Sequence, residues 1–144
     1  MLIEIKVKTK RTIDNKPKKR QEVYLTDKAF FAEAEYAVTA LLTDSTDEFE
    51  IQSLRLSPIK EIANQFTGNY SFIATLRDTW MEDDGAEKHL KYKVLLWADT
   101  LTQANQRVQQ LAREGYDMQI EGIKQVDYEY LVEPTNQEEE TEND

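Results

Sequence analysis

The second half of the chain reads as a copy of the first, and this repeat limits the fold more than any other feature does. Ile3, Ile5 and Val7 alternate with Glu4, Lys6 and Lys8, the period of a half-buried strand. A shift of 69 residues, from Ile3 to Phe72, lands on Phe72, Ala74 and Leu76, which alternate with Ile73 and Thr75. Turn chemistry follows in both halves, Asp14-Asn15-Lys16-Pro17 and then Asp83-Asp84-Gly85. Second strands are predicted around Arg20–Thr26 and His89–Trp97. Phe31, Ala34, Val38 and Leu41 form one apolar stripe of a helix. A shift of 70, from Phe31 to Leu101, gives Leu101, Ala104, Val108 and Leu111. Thr100 with Gln103 is a capping-box pattern, whereas Phe30 in the Thr100 position leaves the first helix to be capped otherwise, by Asp27. Gly115 is expected to end the second helix. Closing strands are predicted over Glu48–Leu56 and Tyr116–Val126, with Pro58–Ile62 running parallel in the alignment to Asp127–Leu131.

The fold class predicted from this pattern is α+β: two tandem strand–strand–helix–strand repeats, an antiparallel sheet with helices on one face. Residues 1–132 are expected to form a single domain, with repeat one at 1–62 and repeat two at 69–132. Each unit alone would be marginal in size. Residues 133–144 carry six acids, no base and no apolar side chain, and are expected to be a disordered acidic tail.

The chain has no cysteine, which excludes disulfides, thiolate zinc sites, iron–sulfur ligation and thiol catalysis. Its lone histidine, His89, sits in an alternating run and reads as a solvated strand residue. The four glycines form no phosphate-binding loop, and no serine nucleophile elbow occurs. The acids Asp78, Glu82, Asp83 and Asp84 lack the ligand order of a calcium loop and read as a solvated hairpin tip. An enzyme would need a cleft lined by Asp78, Glu82 or Tyr92, and nothing in the sequence indicates one. A non-enzymatic protein without cofactor or metal is expected. No apolar run approaches membrane-spanning length and no signal peptide is visible, so no membrane association and a cytoplasmic location are expected.

The opening Ile-x-Val-x strand, the basic hairpin, Tyr24-Leu25-Thr26-Asp27, the helix start Phe31-Ala32-Glu33-Ala34-Glu35 and the strand Phe49-Glu50-Ile51 carry a resemblance. Together with Pro58-Ile59-Lys60-Glu61-Ile62 and the later strand–helix–strand, the chain resembles domain-of-unknown-function family 4494 of Bacteroidetes and crAss-like phages over about residues 1–132. The resemblance implies a protein of a bacterial or phage-infected host cell. It brings no activity and no catalytic residues, and it inclines the reading toward nucleic-acid metabolism.

Net charge is −10, unevenly spread: residues 1–22 hold eight bases against three acids. With Ile3, Ile5 and Val7 inward, Lys6, Lys8 and Lys10 face outward. With Val23 and Leu25 inward, Arg20 and Tyr24 join them, and Arg11, Lys16, Lys18 and Lys19 cap the turn. Cations with an aromatic for base stacking are the ingredients of single-stranded nucleic-acid binding. The plainer alternative is a solvated face whose charges prevent edge-to-edge aggregation. In the second unit, Ile73, Leu95 and Trp97 share one outer face, either as core or as a homodimer interface. Two functions therefore compete. One is a non-catalytic binding or accessory protein that touches single-stranded nucleic acid through its first hairpin. The other is an acidic adaptor or inhibitor that binds a basic protein partner.

Overall fold

The structure, a computed structural model, describes residues 1–114 and 118–131. It is a mixed α+β fold with eight strands in two sheets and two helices, in the order β1 (Ile3–Ile13), β2 (Lys16–Thr26), α1 (Phe31–Ser45), β3 (Glu48–Leu56), β4 (Ile59–Ala63), β5 (Tyr70–Met81), β6 (Glu87–Ala98), α2 (Leu101–Glu114), β7 (Gln119–Val126) and β8 (Tyr128–Leu131). Residues 133–144, expected to be a disordered tail, and Gly115, expected to end α2, lie outside the described residues.

The chain divides into two compact units, one built from Met1–Leu56 with the C-terminal strand from Glu129, the other from Ser57–Tyr128. The first unit holds a sheet in the order β3-β1-β2-β8; the second holds one in the order β4-β6-β5-β7. The boundary differs from the one drawn on the sequence. The repeat places Pro58–Ile62 in the first half, yet β4 lies in the second sheet. It places Asp127–Leu131 in the second half, yet β8 lies in the first sheet. The pairs β1–β2, β1–β3, β5–β6 and β5–β7 are antiparallel, whereas β4 runs parallel to β6, with Ile62 opposite Leu95.

Local chemistry explains the hairpins. Asp14 and Asn15 occupy the left-handed region, at φ of 53° and 63°, between the paired residues Ile13 and Lys16. Asn and Asp tolerate that region, and a two-residue turn of this twist suits a hairpin. In the second hairpin Gly85 takes φ 84°.

Each helix covers one face of its own sheet. In the first unit Ala34, Val38 and Leu42 of α1 pack on Ile3, Ile5, Val7 and Tyr24. In the second, Ala104, Val108 and Ala112 of α2 pack on Phe72, Ala74, Leu76, Val94, Leu96 and Ala98. The buried stripe thus steps by four, and Phe31, Leu41 and Leu101, expected in the core, are exposed. A stripe led by small residues lets the helix approach the sheet closely; larger residues on that line would hold it away. The α2 start is capped as expected, with the Gln103 amide donating to Thr100 Oγ1 at 3.1 Å and Gln103 Oε1 accepting from the Asp99 amide at 2.7 Å. At α1 no side chain caps the helix, Asp27 included, and Phe30 stands extended at the N-cap.

Leu131 of β8 packs against the first core. Ending the chain at Asp127 is therefore expected to destabilise the first unit by about 2 kcal/mol through lost apolar burial and lost edge pairing. Amide exchange should accelerate in β1 and β2 and stay unchanged in β5 and β6, with a chain ending at Leu131 as control. Equal exchange in both truncations would refute this role for β8.

Candidate nucleic-acid interface

Nine residues of the first hairpin were singled out, and the strand register sorts them onto two faces. Partners across an antiparallel pair point to the same side. Ile5 faces Tyr24, Val7 faces Glu22, Thr9 faces Arg20 and Arg11 faces Lys18, so these lie on the α1 side of the sheet. Lys6 pairs with Val23, Lys8 with Gln21 and Lys10 with Lys19, so these lie on the reverse side.

Tyr24 is therefore misplaced by the sequence reading. It is 2% exposed and belongs to the core beneath α1, so it offers no ring for a base to stack on. Val23, Tyr24 and Leu25 form a continuous apolar run, and alternation cannot set the phase of a run with no polar member. Pairing with Ile5 sets it.

Arg11 is also not free. Its guanidinium grips Glu22 through two hydrogen bonds, Nε to Oε2 at 3.0 Å and Nη2 to Oε1 at 2.9 Å, and donates to the Ser45 carbonyl at 3.0 Å. Thr9 Oγ1 also donates to Glu22, as does the Tyr24 hydroxyl at 2.5 Å. Burial alone would raise the Glu22 pKa, but the hydrogen bonds from Arg11, Thr9 and Tyr24 outweigh it and hold it at about 2. Burial and the Glu22 carboxylate push the Tyr24 hydroxyl above its ordinary value. This cluster ties β1, β2 and the end of α1 together, and its role is structural.

The remaining cations form the surface. Lys8, Lys16, Lys18, Lys19 and Arg20 are exposed and Lys6 and Lys10 half-buried. None of the seven makes a salt bridge with another described residue. On the reverse face a shallow depression of about 410 Å³ is lined by Lys8, Lys10, Lys19, Glu48, Phe49 and Glu50, among others. Register places Glu50 beside Lys8 and Glu48 beside Lys10, so β3 lowers the positive potential there. The sequence reading missed both acids, because which strand flanks β1 is not written in the spacing. Pairing of β3 with β1 stops at Lys10, and beyond it Asp47 accepts a hydrogen bond from Thr12 Oγ1 at 2.6 Å. Lys16 and Lys18, opposite Ile13 and Arg11, lie beyond the reach of β3, whereas Lys19 and Arg20 are level with its last pairs; Asp14 is the one acid between residues 11 and 20.

In the second unit, Ile73 and Leu95 are opposite one another on the face away from α2, and Trp97 is on the same side. All three are buried, Leu95 completely, so they form core and present no exposed interface. Phe66, in the loop before β5, closes over Trp97 in an edge-to-face contact with ring centroids 5.1 Å apart. Charges on that face are balanced where those of the first hairpin are not: Glu121 sits 3.5 Å from both Arg77 and Lys91.

His89 Nδ1 lies 3.0 Å from Thr79 Oγ1 on an exposed ribbon. Tyr92 donates to Glu61 at 3.1 Å, and burial and that carboxylate raise its pKa. Among the described residues no group of three His, Asp or Glu side chains is placed to hold a metal ion, and no helix is long and apolar enough to cross a membrane. A family model described as "Domain of unknown function (DUF4494)" matches residues 1–140. No curated protein and no solved structure matches the chain.

Proposed function

We propose, from the premise that this chain belongs to the DUF4494 family, that it is a non-catalytic binding protein whose β1–β2 ribbon engages the phosphates of single-stranded nucleic acid. The observation that carries this reading is the cluster of Lys16, Lys18, Lys19 and Arg20, exposed and without an acidic partner among the described residues. Concentrated cations on a projecting element lower the free energy of a polyanion by releasing its counterions. The inward position of Tyr24 removes stacking from the surface, so recognition falls to the phosphate backbone and is indifferent to base sequence. The acidity of the chain as a whole opposes non-specific attraction, which confines binding to the ribbon.

Four phosphate contacts on a single strand correspond to a slope of about −3 in log K against log salt. Anisotropy titrations of a labelled oligothymidylate should show this slope. The triple variant Lys16→Glu, Lys18→Glu, Lys19→Glu should bring it to about −1 or abolish binding. No binding by the unaltered chain at low salt would refute the proposal.

A further inference from the structure

In the first hairpin, pairing of β1 with β3 stops at Lys10, and the second hairpin runs on past both strands that flank it. On β5, pairing with β7 stops at Arg77, and on β6, pairing with β4 stops at Lys93. Asp78–Met81 and the facing residues Glu87–Leu90 therefore form a two-stranded ribbon with neither edge paired to another described strand. A bare ribbon is marginal in water, and a free edge is a template for a further strand. This second ribbon is the electrical opposite of the first. Residues 78–90 carry five acids, Asp78, Glu82, Asp83, Asp84 and Glu87, against the single base Lys88.

Its surface is also apolar where the first is not. Register puts Trp80 and Leu90 on the same face as Asp78, and they are 42% and 52% exposed. Met81 is exposed on the opposite face. Large apolar side chains with a charged rim, on an element whose backbone edges are open, have the anatomy of a docking surface. Trp80 is held by its indole N–H, which donates to Glu82 at 3.2 Å and leaves the ring in the open.

We infer that the partner of this acidic ribbon is the basic ribbon of a second copy of the same chain. The argument is charge complementarity: four exposed cations that make no salt bridge with a described residue on one ribbon, and five acids on the other. Lysine and arginine stems lie along apolar surface while their heads reach carboxylates, and an arginine over an indole gains further. Lys16, Lys18 and Arg20 share one face of the first ribbon, as Asp78, Trp80 and Leu90 share one face of the second. The contact joins two different surfaces, so a pair keeps one unused ribbon of each sign, one on each copy, and association continues until it closes or exhausts the supply. The acidic partner-binding role expected from the sequence acquires a surface and an occupant in this way. The homodimer expected through Ile73, Leu95 and Trp97 is replaced by one that uses exposed residues.

Sedimentation velocity on the full chain, freed of nucleic acid by nuclease, tests the inference through charge swapping. One variant, Lys16→Glu with Lys18→Glu and Arg20→Glu, makes both ribbons acidic. The other, Asp78→Lys with Glu82→Lys and Asp83→Lys, makes both basic. At low salt the unaltered chain is expected to gain mass with concentration and to lose it as salt is raised. Each variant alone is expected to stay monomeric, and an equimolar mixture of the two to associate again. Trp80→Ala should weaken association of the unaltered chain about tenfold. A chain that is monomeric at every concentration at low salt, or a mixture of the two variants that does not associate, overturns the inference. The nucleic-acid proposal is separable, because the Asp78→Lys variant keeps the basic ribbon. If that variant binds the oligonucleotide while the variant mixture fails to associate, only self-association falls.

Discussion

Gly68→Ala is expected to cost about 3 kcal/mol of stability, far more than an alanine normally does in a loop. A Cβ at this position would stand 2.4 Å from the Ala98 carbonyl carbon and 2.5 Å from its Cα. Both are backbone atoms at the end of β6, so no side chain can rotate out of the way. The surrounding loop is equally constrained. Arg107 of α2 donates to the Thr67 carbonyl at 2.9 Å and to the Trp97 carbonyl at 2.5 Å. The Asn69 amide donates to Asp99 at 3.0 Å. Asn64 and Phe66 sit at φ 50° and 58°, a conformation that a bulky residue such as Phe66 rarely adopts, and Phe66 rests there against Trp97. Relief of the clash would have to move this whole assembly. Gly122→Ala is the control, since a Cβ there meets nothing within 4 Å. It is expected to change stability by less than about 0.5 kcal/mol. Urea denaturation of the two variants distinguishes them, and equal midpoints would show that the close approach at Gly68 is not the constraint described.

Glu22→Gln is expected to cost about 3 kcal/mol at neutral pH, and the cost is expected to vanish in acid. The carboxylate, with a side chain only 17% exposed, accepts from Arg11, Thr9 and Tyr24. Its pKa falls from 4.5 to about 2, so between these values the unfolded chain binds a proton that the folded chain refuses. Stability from this group is therefore fully present above about pH 4.5 and is lost as pH falls toward 2. The glutamine keeps the shape but cannot answer the guanidinium charge, so the variant lacks this acid-sensitive contribution. Denaturation midpoints measured from neutral pH down to about pH 2.5 should converge for the two proteins as acid is added. A gap that stays constant with pH would mean that the Glu22 charge contributes nothing. Tyr24→Phe should cost about 1.5 kcal/mol at neutral pH, the value of one hydrogen bond to a charged group at its low end.

Local elements were legible because local rules set them. The β3 bounds Glu48–Leu56 agree between pattern and structure, as does the capping of α2 by Thr100 and Gln103. Both hairpin turns fall where Asp14-Asn15 and Gly85 allow positive φ. Strand extent was less legible: β2 begins at Lys16, well before Arg20, because lysines on a ribbon tip carry no apolar alternation to betray the pairing. The facing of Tyr24 was lost for a related reason: it lies in an unbroken apolar run, which fits either phase of a strand. Leu95 and Trp97 lie on the face opposite Val94 and Leu96, and that face is buried.

The sequence by itself determined six of the eight strands, both helices and both hairpin turns, the absence of thiol chemistry and the concentration of cations in the first hairpin. These depend on residue type and on spacing within one element. The tertiary structure alone decided which strands share a sheet, that β4 joins the second sheet and β8 the first, and that Glu48 and Glu50 flank the lysines. A strand carries the same hydrogen-bonding groups along either edge whatever its side chains are, so its neighbours are chosen by pairing between residues far apart in the chain. Spacing within one segment holds no record of that choice.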